Sequence, residues 1–137
     1  MHKRGTPKDM QKKLNPRANM VKEFDKFIEK RLKILKKMKF NLKKVWFDPG
    51  IGFGKTLNQN LQLMRSLSKY SHKNLQILLG SSRKSWINFI DPSNADQRIG
   101  GSLASITHAL QQNVNTFRIH DVQETNQMIK VLKALNK

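Results

Sequence analysis

Three short segments carry side chains that could do chemistry, and each directly follows an apolar run. In the first, Asp48 is followed by Pro49 and a glycine-rich stretch. Its carboxylate could accept two parallel N–H donors from a flat ligand, and the glycines would let that ligand approach the backbone. Asp48 could equally be a turn former before Pro-Gly, and the residue taken alone favours that simpler interpretation.

The second segment is Gly80-Ser-Ser-Arg-Lys-Ser85, between an apolar run and a predicted short helix. Gly80 permits close approach of a ligand. Lys84 and Ser85 lie where the first N–H groups of that helix would favour an anion or a carboxylate. An ordinary helix N-cap with surface cations explains the same residues equally well.

The third segment is Arg118-Ile-His-Asp121. Strand alternation places Arg118 and His120 on one face and Ile119 on the other. Two N–H donors that point the same way suit a phosphate group. A lone histidine on a strand is usually structural, but the paired arginine favours an anion site.

The apolar pattern predicts an α/β fold in which these segments share one edge. Residues 1–17 are expected to form a loop, and Asp121 with Glu124 has the form of a capping box. The predicted strands are 45–47, 75–79 and 116–119. Five helices are predicted: residues 18–40, a helix that carries Leu57 to Leu67, a short helix that begins near 83–85, a helix from about Ser102, and a helix after Asp121. Strands that alternate with helices require parallel pairing, which brings the residues after each strand together.

The segment 48–56 runs from strand to glycine loop to helix, as a P-loop does. A Walker A motif has four residues between its first glycine and its Gly-Lys-Thr. Here the position of that first glycine is Pro49, and Gly50 leaves only three intervening residues. The sequence therefore argues against a nucleoside triphosphatase.

Taken together, four motifs resemble dihydropteroate synthase, a pterin-binding TIM-barrel family. They are Asp-Pro-Gly-x-Gly-Phe-Gly-Lys (48–55), Gly-x-Ser-Arg-Lys-Ser (80–85), Arg-x-Gly-Gly-Ser-Leu-Ala (98–104) and Arg-Ile-His-Asp (118–121). The start of the chain, Met-His-x-x-Gly-x-Pro (1–7), is similar to the stretch after the family's fifth barrel strand. The resemblance covers essentially the whole chain.

This resemblance implies a fold and a reaction. The fold would be the C-terminal half of a (β/α)8 barrel, with about three βα units plus the tail of a fourth, over residues 1–137. The reaction joins dihydropterin pyrophosphate to 4-aminobenzoate, releasing pyrophosphate and giving dihydropteroate for folate synthesis. Mg²⁺ would neutralise the diphosphate, with its protein ligand in the N-terminal half of the barrel.

The resemblance also assigns roles to individual residues. The pterin would be bound by Asp48, Lys84, Gly80 and Met1, the diphosphate by Arg118 and His120, and the 4-aminobenzoate by Ser85, Phe53 and Arg83. Catalysis would rest on Lys84, Arg118 and His120, and Lys55 would support the glycine loop.

The chain is short for this family. A complete barrel takes about 250 residues, and the family's Asn-Val-Thr-Pro-Asp-Ser-Phe and Gly-Glu-Ser-Thr-Arg loops do not occur in these 137 residues. We expect a gene fragment, the product of a misplaced start codon or one piece of a split enzyme, inactive alone and with exposed sheet edges. Its partner would be the N-terminal half or a second copy. The alternative is a non-catalytic half barrel that binds pterin or phosphate.

Composition limits other functions. With 27 Lys and Arg against 9 Asp and Glu the net charge is +18, and residues 1–44 hold 16 basic and 4 acidic side chains. Such a patch could bind nucleic acid, but lysines scattered among Asn, Ile and Phe favour solvated stems, so no nucleic-acid partner is expected. The absence of cysteine excludes disulfides. No apolar run approaches the ~20 residues of a membrane span, so a cytoplasmic protein without a membrane partner is expected.

Overall fold

The computed structural model describes residues 1–6, 8–10, 12, 14–71 and 75–136. Pro7 of the predicted start motif, and positions 11 and 13 of the predicted N-terminal loop, lie outside the described residues.

The chain alternates helices with short strands, as predicted. The strands are β1 (Trp46–Phe47), β2 (Gln76–Leu79) and β3 (Thr116–Phe117). The helices are α1 (Met20–Lys37), α2 (Leu57–Arg65), α3 (Ser68–Ser71), α4 (Ser85–Asn88), α5 (Ile99–Leu110) and α6 (Val122–Leu135), with 3-10 turns at Leu42–Lys44 and Ala95–Arg98. The α/β class is therefore confirmed.

Element boundaries differ from the predicted ones where side-chain propensity is misleading. Helix α5 begins at Ile99, before the predicted start at Ser102, because it includes Gly100 and Gly101, which have low helix propensity. A Cβ at Gly101 would lie 2.6 Å from Cγ2 of Ile87, so a close helix contact requires a glycine there. The predicted third strand also ends two residues early, at Phe117.

The three strands form one parallel sheet in the order β1-β2-β3. Its register pairs Trp46 with Gln76, Phe47 with Ile77, Leu78 with Thr116 and Leu79 with Phe117. Because paired residues share a face and neighbours along a strand alternate, each strand turns one set of side chains toward the helices. Phe47, Ile77 and Leu79 are buried there, whereas Trp46 on the opposite face is 46% exposed.

Helix α1 supplies much of the cover for the buried face. Asn19 caps it by accepting the Lys22 N–H at 3.0 Å. Its apolar residues Met20, Phe24 and Ile28 recur every four positions and all three are buried. No described helix is both long and apolar enough to cross a bilayer.

Apolar side chains are left uncovered at several places. On α1, Ile34 is 41% exposed, and on α6 Val131 and Leu135 are 52% and 76% exposed. Trp46 agrees with the expected exposure at the sheet, whereas exposure of these helix residues was not predicted.

The N-terminal segment is anchored by a buried histidine. The His2 ring lies 5.9 Å from the Phe24 ring and 5.5 Å from the Phe27 ring, between centroids, and its Nδ1 has no hydrogen-bond partner among the described residues. Burial, together with the positive charges of Lys55 and Arg4, lowers the pKa of His2 from 6.5 to about 4. The ring is therefore neutral at pH 7.

This shift predicts an acid-sensitive stability. The unfolded chain binds a proton at His2 below pH 6.5, and the folded chain does so only near pH 4. The contribution of the neutral ring is therefore complete above pH 6.5 and is lost as pH falls toward 4, by up to about 3 kcal/mol. Urea unfolding at pH 7 and pH 5 should show a smaller drop in His2→Phe than in wild type. In His108→Gln, where the histidine is exposed, the drop should remain unchanged. An identical drop in all three proteins would contradict this role.

Candidate functional site

The first residue after each strand lies at one edge and on one face of the sheet. Asp48, Gly80 and Arg118 follow β1, β2 and β3 directly. By alternation they lie opposite the helix-covered face, and the Arg118 N–H continues the pairing by donating to the Leu79 carbonyl at 2.9 Å. A Cβ built on Gly80 would lie 3.8 Å from both Arg118 Cβ and Lys84 Nζ. The sheet therefore brings these predicted residues together.

Lys84 lies in the middle of this group. It is the N-cap residue of α4, and its Nζ donates to the Ile51 carbonyl at 2.6 Å. The same ammonium lies 4.5 Å from the centroid of the Phe53 ring, within cation–π range. Burial lowers the pKa of Lys84 from 10.5 to about 8; Asp48 opposes this shift and Arg118 adds to it.

Asp48 forms the turn that the sequence offered as its simpler role. Its Oδ1 accepts the Gly50 N–H at 2.7 Å. The half-buried carboxylate is also close enough to raise the pKa of both Lys55 and Lys84 against the effect of burial. Asp48 is thus both a turn former and the negative charge among buried cations.

The glycine loop is shaped by close contact with the N-terminal segment. Gly50 and Gly54 have φ angles of 67° and 68°, which favour glycine. A Cβ on Gly50 would lie 1.8 Å from the His2 carbonyl oxygen, and one on Gly54 would lie 2.4 Å from that of Arg4. Only glycine allows the two backbones to pack this closely.

Lys55 connects the loop to that segment. Its Nζ donates to the carbonyls of Gly50 at 2.8 Å, Phe53 at 3.0 Å and His2 at 3.2 Å, and the side chain is buried. Three acceptors match the three N–H donors of an ammonium. Burial lowers the pKa of Lys55 to about 8. The predicted role of Lys55 in supporting the loop agrees with these bonds.

The turn after β2 is held by Arg83, which has a φ angle of 56°. Its Nε donates to Asp121 Oδ2 at 3.0 Å, and a second N–H donates to Oδ1. This pair lowers the pKa of Asp121 and raises that of Arg83. The predicted capping box is therefore wrong, because the Asp121 side chain makes no cap bond to α6 and binds Arg83 instead.

His120 reaches the same turn. Its backbone N–H donates to Ser82 Oγ at 3.4 Å, and its Nδ1 lies 3.1 Å from that oxygen. Arg118 and His120 are both exposed and Ile119 is half-buried, which agrees with the predicted alternation although β3 ends before them.

Two predicted residues lie at the margin of this group. Ser85 is the exposed first residue of α4. Met1 is 49% exposed and lines a cavity of about 290 Å³ with Trp46 and Phe47. The residue after Met1 donates its N–H to the Asp48 carbonyl at 2.8 Å, which brings the chain start to the first strand's end.

Ser82 and the Asp121 carboxylate bind two of the predicted site residues, and the sequence analysis gave neither of them a site role. Both lie inside the quoted motifs, which was the signal available. Each binds a residue 38 positions away, so no local pattern reveals the partner.

Another cavity, of about 480 Å³, lies between α2, α4 and α5 and contains none of the predicted site residues. Its lining combines apolar side chains with Arg65, Asp91, Arg98 and His108. The residues singled out by the sequence lie instead at the strand ends, which we take as the candidate site.

The described residues do not fit a metal site. Within the described ranges, no three His, Asp or Glu side chains are grouped to hold a metal ion. The carboxylate at the strand ends, Asp48, has Lys55 and Lys84 as its charged neighbours, and these would repel a cation.

The chain is similar over its full length to known pterin enzymes. The family profile described as "Pterin binding enzyme" matches residues 1–120. The dihydropteroate synthase of Escherichia coli K12 is 35% identical over 98% of this chain and 47% of that protein. The bifunctional dihydropteroate synthase/dihydropteroate reductase of Helicobacter pylori is 35% identical over all of this chain and 35% of that protein.

A solved structure gives the same result for the fold. The Yersinia pestis dihydropteroate synthase, in a sulfonamide drug complex, superposes with a TM-score of 0.89 at 32% identity. The match covers 98% of this chain and 49% of that one. The chain thus spans about half the length of these relatives or less, and it belongs to the pterin-binding enzyme family, with dihydropteroate synthases as its relatives.

Proposed function

We propose that this chain supplies the pterin and diphosphate wall of a dihydropteroate synthase. The observation that carries the proposal is the meeting of Asp48 and Arg118, at the ends of parallel strands, with Lys84 from the turn before α4. A carboxylate, a partly desolvated ammonium and a guanidinium in one place match the donor and acceptor groups of a pterin and its diphosphate.

In this proposal Asp48 and Lys84 bind the pterin. The Asp48 carboxylate accepts from the 2-amino group and the adjacent ring N–H, which present two parallel donors. The Lys84 ammonium donates to the ring carbonyl or a ring nitrogen. Gly80, which has no side chain, leaves room for the bicyclic ring, and Met1 lines the same pocket.

Arg118 and His120 bind the diphosphate as it leaves. Negative charge on the leaving group grows as the pterin C–O bond breaks, so fixed N–H donors there stabilise the transition state more than the ground state. Both side chains are exposed after β3 and therefore accessible to an anion. Lys84, Arg118 and His120 are the residues we assign to catalysis.

The 4-aminobenzoate is assigned to Phe53, Arg83 and Ser85. The Phe53 ring under Lys84 offers an aromatic surface beside the pterin position. The aliphatic part of the Arg83 side chain would pack against the aminobenzoate ring, although the guanidinium of Arg83 is held by Asp121. The Ser85 hydroxyl would donate to the aminobenzoate carboxylate. The hydroxyl, rather than the helix dipole, is assigned this role because α4 has only four residues and its dipole contributes little.

Mg²⁺ stays a prediction from the resemblance, and a cytoplasmic location stays a prediction from the sequence. Because the described residues do not fit a metal site, no step above is assigned to a metal.

We further propose that residues 1–137 form about three βα units of a barrel plus the tail of a fourth. A chain equivalent to the relatives' remaining half would cover the open sheet face at Trp46. A second copy is the less favoured partner because each carries a charge of +18. A half barrel that only binds ligand is the second candidate, favoured by the closeness of Asp48 and Lys84 within this chain alone.

Removing the Asp48 charge should weaken pterin binding. In Asp48→Asn the amide keeps an acceptor for the turn but offers the pterin one acceptor and a repelling N–H pair. We expect about 10- to 100-fold weaker binding of dihydropterin pyrophosphate in calorimetry, since hydrogen bonds to charged groups contribute about 1.5–3 kcal/mol. Asp96→Asn, an exposed carboxylate on a 3-10 turn, is the matched control. Equal affinity in both variants would contradict the role, and no heat from wild type would indicate a non-binding chain.

Pterin binding should also weaken in alkaline solution. The pKa of Lys84 is about 8, so its ammonium is present at pH 7 and largely lost at pH 9. We expect affinity for dihydropterin pyrophosphate to fall over this range in wild type. The fall in affinity should be smaller in Lys84→Arg, whose charge persists. In Lys133→Arg, at an exposed lysine of α6, it should equal the fall in wild type. A pH profile of Lys84→Arg identical to wild type would rule out Lys84 as the titrating donor.

The isolated chain should not turn over at the rate of a complete enzyme. With both substrates and Mg²⁺, we expect product formation only after addition of a polypeptide equivalent to the first half of the Escherichia coli relative. Trp46→Lys should prevent this complementation, because it places a charge on the open sheet face. Phe89→Lys, at a residue 64% exposed elsewhere, should not. Product formation by the chain alone at the rate of a complete enzyme would refute the assembly.

A further inference from the structure

We propose that Ser82 is a positioning residue that fixes the tautomer of His120, so that Nε2 of the ring always carries a proton. Ser82 is 2% exposed. Its Oγ lies 3.1 Å from His120 Nδ1 and accepts the His120 backbone N–H at 3.4 Å. The binding of a diphosphate by Nε2–H rests on the proposed function, whereas the tautomer of His120 does not.

The protons around the Ser82 hydroxyl decide the tautomer. Ser82 Oγ has one proton to donate and lone pairs to accept. The backbone N–H of His120 already points a hydrogen at Oγ, and Oγ has no other partner than His120 among the described residues. The hydroxyl proton is therefore satisfied only by the lone pair of Nδ1. A buried hydroxyl left without an acceptor would cost free energy.

The tautomer follows from this pairing. In a neutral imidazole one nitrogen donates and the other accepts. Since Nδ1 accepts from Ser82, Nε2 must carry the ring proton. If the ring gains a proton, both nitrogens carry one, so Nε2 keeps its own. In both charge states the other ring nitrogen offers an N–H donor.

Ser82 is held in place from both sides. The preceding Ser81 Oγ bonds to Ser105 Oγ at 2.7 Å. The backbone N–H of the following residue, Arg83, donates to Ser102 Oγ at 2.9 Å. The Arg83 carbonyl accepts a hydrogen bond from the Arg98 guanidinium at 3.0 Å.

The same turn holds the segment that carries His120. The Arg83 side chain bonds to Asp121, the residue after His120. Both sides of the contact between Ser82 and His120 are therefore fixed to one turn.

The chemical consequence concerns anions. Phosphate oxygens only accept, so they are attracted by Nε2–H and repelled by a bare Nε2 lone pair. A histidine free to change tautomer would offer that lone pair part of the time. Ser82 removes this state without requiring the ring to be charged.

The tautomer is measured directly by ¹⁵N NMR of the histidine side chains in the unliganded chain, with the His120 signals assigned from His120→Gln. We expect only the Nε2–H form of neutral His120 in wild type and in Ser82→Thr, which keeps the hydroxyl. We expect a detectable Nδ1–H population in Ser82→Ala. Ser66→Ala removes a serine hydroxyl that donates to the Gln62 carbonyl at 2.8 Å, away from this turn, and should leave the His120 signals unchanged.

Inorganic pyrophosphate is the probe for the functional step. Its affinity should fall about 3- to 10-fold in Ser82→Ala, the effect of one hydrogen bond, and recover in Ser82→Thr. An Nδ1–H form in wild type, or identical tautomers in wild type and Ser82→Ala, would overturn the inference; the wild-type spectrum decides even where a variant does not fold. The expected tautomers without pyrophosphate binding would support the positioning by Ser82 and overturn the proposed diphosphate role.

Discussion

The rest of the structure depends on which face each of the three strands turns toward the helices. Phe47 and Leu79 are buried beneath the helices, and this burial fixes which side of each strand faces inward. Because neighbours along a strand alternate, Asp48, Gly80 and Arg118 must face the other way, at one edge. A slip of one residue would bury the charged groups and expose the apolar ones. The free energy that orients the site therefore comes from apolar burial behind it.

Two loops complete the site, and each is fixed by buried polar groups. In the first loop Lys55 binds three backbone carbonyls. In the second, the turn at residues 81–83 is bonded to α5 and to the segment after β3. A buried polar group is stable only when its hydrogen bonds are made. Each loop therefore has few alternative conformations, which suits the binding role proposed for its residues.

The uncovered apolar surface is consistent with the share of the relatives that this chain matches. Trp46 is half exposed on the open face of the sheet, and Leu135 on α6 is 76% exposed. The chain matches 47% of the Escherichia coli relative. The proposed function assigns the pterin and diphosphate groups to this chain and leaves the open face to a complementary half.

The sequence alone determined the order of elements, the α/β class and the position of Asp48, Gly80 and Arg118 just after the strands, because apolar periodicity and glycine patterns are local. It also indicated Lys55 as the loop's support. Tertiary structure alone decided the partners across the chain: Asp121 binds Arg83 rather than capping α6, and Ser82 meets His120. Both contacts join residues 38 positions apart and arise only when β2 and β3 pair. A local sequence pattern does not predict such a partner, because the register of the sheet decides which residues meet.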